Sequence, residues 1–538
     1  MKQYTYVASR GENVYHRYYD NSGKLVQEIT QNKPYYYLHS QTGTTKDIYG
    51  KYVEKYEFET VKDYRNNRQM MVNSGVEVLG MDNLDILAIS DLYPGKINYD
   101  FSLLRVASID IETVSKNGFP YAHLAEQEID AISHIDSYTG NIEFFSTRIW
   151  NKKISSLPKD ILKRVNYRYF DNERDMLINY LHFWTKNYPD IVTGWNIDNY
   201  DIPYLINRYD NVFGRKVTNK FSPFGIITSQ NSEDKENEIF NIAGISCLDY
   251  LNLYKKFRLI NRSSYKLDYI AELELGENKL DYDGPLWKLA EEDPQRYGDY
   301  NIQDTLLIEK MERKMKYISL ACSICYYAKI NFEKIYSAVN IWDSILYNSL
   351  RSKNIVVPMK RKQSKEFAYE GAYVKEPKLG KRYGWIASFD ATSLYPSIIR
   401  QWNISPETIM GQIKGYTVDD YLNRRVKISN QYGQAANGSI YDNSKRGVVP
   451  DEIEKVFFQR KHHKSNDFFA KKVGEVFQLC ITLYDKLPKD LDLDSFKYVG
   501  LSEKDLESLI DSYDKNKKDE EYKLLESDLQ KLHQYIGE

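Results

Sequence analysis

The sequence predicts a multi-domain α/β protein, and three observations carry that prediction. Its 538 residues suffice for three or four domains of ~150 residues each. Residues 104–316 alternate strand-like and helix-like segments, the pattern of a central sheet covered by helices. They are flanked by a β-rich stretch, 1–103, of short apolar and aromatic runs cut by turns such as Asn21-Ser22-Gly23 and Pro94-Gly95. Long helix-like segments follow from 452 onward.

Composition narrows the function classes. Lys and Arg number 74 against 76 Asp and Glu, a formal net charge of −2, which excludes a uniformly basic nucleic-acid binder and leaves only local patches. Four cysteines, Cys247, Cys322, Cys325 and Cys480, exclude a disulfide scaffold. Cys322 and Cys325 lack the second pair a zinc site needs and read as buried thiols. No stretch approaches the ~18 apolar residues of a membrane span, and the polar, aromatic N-terminus has no signal-peptide core. A soluble, intracellular protein without membrane contact is expected. The 48 tyrosines suit either an aromatic core or wet surfaces that stack on bases.

Within the α/β block, LLRVASIDIE (103–112) reads as a buried strand ending in Asp110 and Glu112, which at i and i+2 share one face. Two acids so placed repel unless a cation sits between them. ERDMLINYLHFWTKNY (173–188) has helical spacing and stops before Pro189. In TGWNIDNYDIPYLINR (193–208), Asp201 is expected to cap a helix opened by Ile202-Pro203 while turning its carboxylate outward. The charged run SQNSEDKENE (229–238) is a solvated loop or a protruding hairpin. Tyr300 and Asp304, four apart, share a face of the helix after Pro294. A few carboxylates of this kind suffice for two Mg²⁺ or Mn²⁺ ions, the arrangement used for two-metal hydrolysis of phosphodiesters. The assignment is Asp110 as bridging ligand, completed by Glu112, Asp201 and Asp304, with Tyr300 orienting the attacking water.

These three pieces resemble the exonuclease motifs of family B DNA polymerases: D-I-E at Asp110 and Glu112, N-x₃-Y-D at Asn196–Asp201, and Y-x₃-D at Tyr300–Asp304. The resemblance implies 3′→5′ proofreading activity on single-stranded DNA and a ribonuclease-H-like fold.

Residues 351–382 carry ten basic residues against three glutamates, a net of +7, with Phe367, Tyr369 and Tyr373 interleaved. Such a segment neutralises phosphates and stacks on bases, and Lys360, Arg361 and Lys362 are its longest basic run. Tyr369-Glu370-Gly371-Ala372 resembles the family's Y-x-G-G/A motif, which implies contact with template through Tyr369, Gly371 and Ala372.

GWIASFDATSLYPSII (384–399) reads as a strand ending at Asp390, a tight turn, and a helix opened near Pro396. Asp390 is placed to hold a metal, and the amides of Ser393, Leu394 and Tyr395 to meet a triphosphate. The segment resembles polymerase motif A, D-x-x-S-L-Y-P-S-I, with Tyr395 beneath the incoming sugar. QWNISPETI beyond it, with KDIYGK and FDNERDML earlier, is most similar to the replicative polymerases of T-even-type phages. VFFQRKHHKSN (456–466) resembles the fingers helix, with Arg460 and Lys464 on one face to grip dNTP phosphates.

The family's second fingers motif, K-x₃-N-S-x-Y-G, and its D-T-D palm turn do not occur in these 538 residues. With Asp390 alone the palm cannot hold a metal pair, so this chain alone is not expected to polymerise. The resemblance implies an N-terminal domain (1–103), an exonuclease domain (104–316), a second N-terminal part or linker (317–361), a partial palm (362–447) and partial fingers (448–538). Three readings remain: the N-terminal chain of a split phage polymerase, a stand-alone exonuclease, or a nucleic-acid-binding, translational-repressor-like fragment. The first implies primer-template DNA and dNTPs as substrates, and a second polypeptide with the remaining palm, fingers and thumb. A sliding clamp would be reached through that second chain, all in the cytoplasm of the infected bacterial host. Apolar stripes at Leu506, Leu509, Ile510 and Tyr513 and at Leu525, Leu529, Leu532 and Ile536 are expected to bury against that neighbour.

Overall fold

The computed structural model describes residues 2–231, 238–258, 260–277, 284–359, 393–415, 419–420, 423–425, 432–435 and 437–460. The chain divides into two units, Met1–Glu452 and Ile453–Glu538; in the second, the described residues 453–460 are helical.

Strands β1 (Gln3–Arg10), β2 (Asn13–Tyr19) and β3 (Leu25–Gln31) form an antiparallel sheet. A second small sheet follows from β4 (Tyr35–His39), β5 (Thr45–Asp47) and β6 (Tyr52–Glu57), and its outer strand, Ile355–Val356, comes from far along the chain and pairs parallel with β5. Residues 1–103 are less uniformly β than the sequence suggests. Thr60 caps α1 (Val61–Asn73) by accepting from the Asp63 amide, and Asn83 caps α2 (Leu84–Leu92) by accepting from Asp85 and Ile86. These side-chain caps satisfy first-turn amides and override the surrounding β pattern.

The α/β block centres on a six-stranded sheet. Its strands are β7 (Val106–Thr113), β8 (Ile129–Asp136), β9 (Ile142–Ser146), β10 (Val165–Tyr169), β11 (Ile191–Thr193) and, after the antiparallel hairpin β12 (Ile227–Asn231) and β13 (Glu238–Ile242), β14 (Ser246–Cys247). Residues 229–231 and 238 of the charged run thus lie on the paired strands of this hairpin, and 232–237 lie outside the described residues. The sheet order is β10-β9-β8-β7-β11-β14. β8 lies antiparallel between β7 and β9; β10 joins β9, β11 joins β7 and β14 joins β11, all in parallel.

Helices cover both faces, so β8 is buried along its whole length. α4 (Glu173–Lys186) and α5 (Asp201–Phe213) pack against Ala107, Ile109 and Ile111 of β7. The short α3 (Lys159–Arg164) and α6 (Arg215–Thr218) flank them in sequence. α7 (Tyr250–Phe257), α8 (Leu267–Leu275) and α9 (Leu286–Glu292) lead to the 22-residue α10 (Pro294–Met315), which lies across the other face. Gly298 lets it approach: a Cβ there would stand 2.5 Å from Cδ1 of Trp150 and 3.2 Å from the Phe144 ring. Asp299 locks the contact by accepting from Trp150 Nε1 at 2.8 Å and from Ser155 and Ser156.

α11 (Tyr317–Ala328), with buried free thiols at Cys322 and Cys325, returns to the core around Tyr4 and Val7, and α12 (Ala338–Ser352) follows. Ile355–Val356, already met, is β15. Beyond it are α13 (Leu394–Gln401) and a small antiparallel sheet of β16 (Ile409–Gln412), β17 (Tyr432–Gln434) and β18 (Ser439–Asp442).

Candidate metal centre

Side chains alternate along β7. Ile109 and Ile111 enter the core under α4 and α5, while Asp110 and Glu112 project toward α10. That helix brings Asp304 to meet them, so that carboxylate oxygens of Asp110, Glu112 and Asp304 all lie within 4.8 Å of one another. Asp110 and Glu112 are half-buried and Asp304 is buried at 4% exposure. Three acids so close, partly out of water, repel one another unless positive charge joins them, and an all-oxygen donor set suits a hard divalent cation.

α10 supplies more than Asp304. Asn301, fully buried, donates from Nδ2 to Asp110 Oδ2 at 2.7 Å. Its own carbonyl accepts from Ser133 Oγ of β8 at 3.0 Å, tying the helix to the sheet beneath the acids. Tyr300 is buried on the same helix. Asn301 lies inside the Y-x₃-D string, but sequence reasoning gave it no role. A polar residue among the buried positions of α10 was the signal available.

Asp201 differs from the sequence expectation. It is not the N-cap and does not turn outward: it is the first residue of α5, preceded by Tyr200 at the N-cap, and it is buried at 5% exposure. Its Oδ1 accepts from the backbone N–H of Ile111 at 3.1 Å. The reason lies in the sheet. β11 ends at Thr193, opposite Ser108, and three residues further along β7 the Ile111 amide is met by this carboxylate instead of a strand. Asp201 therefore abuts β7 between Asp110 and Glu112 in sequence, outside the three-acid cluster. The hydroxyls of Tyr200 and Thr113 lie 3.2 Å apart beside it.

The loop before α5 is held by Asp249, the N-cap of α7, which accepts from the amides of Asn196, Asp198 and Leu251. Burial and the neighbouring Asp249 carboxylate push Asp198 up to about 7. Near the cluster, the β7–β8 connection exposes Phe119 and Tyr121, at 69% and 57% exposure. The Phe119 ring centre is 6.0 Å from that of Tyr200.

At the second predicted site, Ser393 has a left-handed φ of 50° and immediately precedes α13. Leu394 and Tyr395 begin that helix and are 51% and 71% exposed. Arg460 is helical. Asp390, Lys464, Lys360, Arg361, Lys362, Tyr369, Gly371 and Ala372 lie outside the described residues, as do the two apolar stripes of the tail. Among the described residues no helix is long and apolar enough to cross a membrane.

Comparison with known proteins gives these sites a context. Residues 85–270 match the model of the exonuclease domain of DNA polymerase family B, and residues 334–472 match that of DNA polymerase family B. The chain is 40% identical over 502 residues to the DNA-directed DNA polymerase of Escherichia phage RB69, covering 89% of this chain and 55% of that protein. It is 40% identical over 504 residues to the DNA-directed DNA polymerase of Enterobacteria phage T4, covering 89% and 56%. Identity to the DNA polymerase delta catalytic subunit of Candida albicans is 27% over 409 residues, covering 71% and 37%. The chain spans about half the length of the phage relatives it matches.

Proposed function

The chain carries exonuclease and polymerase sequences of DNA polymerase family B and belongs to that family, and from that premise we propose that it is the N-terminal part of a phage replicative DNA polymerase whose described site removes nucleotides from a 3′ end. The carrying observation is the approach of Asp110, Glu112 and Asp304 to within 4.8 Å, with Asn301 gripping Asp110 and Asp201 docked on the same strand.

In this reading the block at 104–316 is a ribonuclease-H-like exonuclease domain, supported by the mixed sheet and its order. Residues 1–103 with 317–361 form the N-terminal domain, 362–447 part of the palm and 448–538 part of the fingers. Asp110, Glu112, Asp201 and Asp304 would hold two Mg²⁺ or Mn²⁺ ions. When bound, such a pair makes a water acidic and offsets charge on the leaving 3′ oxygen. The chain's own groups do the rest. Asn301 keeps Asp110 oriented, Tyr300 orients the water through its hydroxyl, and Phe119 offers an aromatic face to an unpaired base.

Polymerisation is assigned to a composite site. Asp390 supplies one palm carboxylate, the turn at Ser393, Leu394 and Tyr395 meets the triphosphate, and Arg460 and Lys464 grip its phosphates. Lys360, Arg361, Lys362, Tyr369, Gly371 and Ala372 hold primer-template. A second polypeptide brings the remaining palm, fingers and thumb, together with the sliding-clamp contact, in the cytoplasm of the infected host.

The test of the exonuclease assignment is digestion of a 5′-labelled single-stranded oligonucleotide by the chain in Mg²⁺. Shortening from the 3′ end is expected, with loss on chelation and in the double variant Asp110→Ala/Glu112→Ala. Digestion by that variant at the wild-type rate would overturn the assignment.

A further inference from the structure

The loop Gly194–Tyr200 joins β11 to α5 and fixes where Asp201 begins its helix. Its conformation is demanding. A Cβ on Gly194 would lie 2.5 Å from the carbonyl oxygen of Ile109, so the loop must press directly on the strand that carries Asp110. Asn196 takes a left-handed φ of 65°, a conformation asparagine tolerates better than most residues. After this reversal the amides of Asn199 and Tyr200 return to the Asn196 carbonyl at 3.1 and 3.2 Å, and Ile202 N–H donates to Ile197 O at 3.0 Å.

One side chain gathers the loop from behind. Asp249 has no solvent exposure. Its Oδ1 accepts from Asn196 N–H at 3.1 Å and its Oδ2 from Asp198 N–H at 3.3 Å. Oδ1 also accepts from Leu251 N–H at 2.9 Å, capping α7. The backbone around Asp249 is fixed in turn: Tyr250 N–H donates to Gly194 O at 2.9 Å, and the Tyr336 hydroxyl donates to Asp249 O at 3.1 Å. Capping α7 needs one acceptor oxygen, and any of several short polar residues would serve. Holding the loop as well needs both oxygens as acceptors, which only a carboxylate offers here.

We propose that Asp249 is a positioning residue for the acid cluster, its carboxylate fixing the Gly194–Tyr200 loop so that Asp201 is delivered to β7 beside Asp110 and Glu112. The proposal rests on the reading of that cluster as a metal site. Groups that orient ligands without touching the metal typically change metal affinity or activity 10- to 100-fold when removed, and Asp249 would act in this way through backbone amides.

The experiment is Mn²⁺ titration of the full chain followed by electron paramagnetic resonance, with circular-dichroism melts on each variant. Asp249→Asn keeps the oxygen that caps α7 but turns an amide donor toward Asp198 N–H; Asp249→Ala removes both acceptors. Expected is a folded Asp249→Asn chain with Mn²⁺ affinity lowered several-fold, and a loss of ~10- to 100-fold for Asp249→Ala. The Mn²⁺ concentration giving half-maximal digestion should rise in parallel, while turnover at saturating Mn²⁺ stays near wild type. Wild-type Mn²⁺ affinity in folded Asp249→Asn would overturn the proposal, whatever the fate of the alanine variant. A wild-type chain whose Mn²⁺ binding is insensitive to Asp110→Ala/Glu112→Ala would instead overturn the metal-site reading, and this proposal with it.

Discussion

Asn301 Nδ2 stands 2.7 Å from Asp110 Oδ2, joining α10 to β7 across 191 residues of sequence. An amide donor at that distance holds the Asp110 carboxylate in one orientation toward the cluster. Asn301→Leu removes the donor at similar volume. Digestion of single-stranded DNA is expected to fall ~10- to 100-fold, with a larger loss at low metal than at high. Wild-type rates at every Mg²⁺ concentration would show that the amide does not orient Asp110.

Phe119 gives a second expectation, about grip rather than chemistry. Its ring is 69% exposed yet held against Tyr121 and Tyr200, with ring centres at 5.6 and 6.0 Å. An exposed but supported ring beside an acid cluster suits stacking on an unpaired base, worth about 1–3 kcal/mol per base. Phe119→Ala should therefore raise KM for short single strands about tenfold, near 1.4 kcal/mol, and leave kcat little changed. Steady-state kinetics on oligonucleotides separates the two constants, and an unchanged KM removes Phe119 from the substrate path.

Asp198 makes stability depend on pH in a defined window. Burial and the Asp249 carboxylate raise it from 3.8 to about 7 in the fold. Between those values the native chain keeps a proton that the unfolded chain has released, so this group's contribution to stability falls as pH rises from about 4 to 7. His134 acts oppositely. Burial lowers it from 6.5 to about 4, and its contribution is lost as pH falls through that range. Asp198→Asn should abolish only the first trend. Urea unfolding should show the variant gaining on wild type as pH rises from 5 to 7.5; a constant difference between the two would refute the assignment.

What the sequence disclosed, and what it hid, follows from the range of the interactions. The pairing of Asp110 with Glu112 is a property of one strand, and that of Tyr300 with Asp304 a property of one helix, so period alone made them legible. The alternation of strands and helices likewise announced the sheet. Asp201 was found by spacing, but not its placement: it is buried within the first turn of α5 instead of capping that helix with its carboxylate turned outward. One oxygen of the carboxylate accepts from the Ile111 amide, a partner that arises because β11 stops at Thr193. Asn301 and Asp249 were invisible for the same reason, since their partners lie on elements brought together by the fold. The need for glycine at 298 likewise arises only in the fold, where Trp150 fills the space a Cβ would take.

Template-directed synthesis is expected to need more than the residues of this sequence. Motif A sits at 390–398 in this sequence, but the K-x₃-N-S-x-Y-G and D-T-D motifs of the family do not occur in it, and the phage relatives are nearly twice as long as the matched region. Two carboxylates are needed to hold the metal pair of a polymerase palm, and in the proposed reading Asp390 supplies one. If a second polypeptide supplies the other, the obligate interface between the two is expected to exceed ~2,000 Å². Mixing this chain with the polypeptide encoded beside it, on primed template with dNTPs and Mg²⁺, should restore synthesis that neither shows alone. Asp390→Ala should then abolish synthesis and spare digestion, while Asp110→Ala/Glu112→Ala should do the reverse, because the two sites use separate acids. Synthesis that survives Asp390→Ala would mean that the palm carboxylates come entirely from elsewhere. Failure of the two polypeptides to associate would leave this chain an exonuclease without a composite polymerase site.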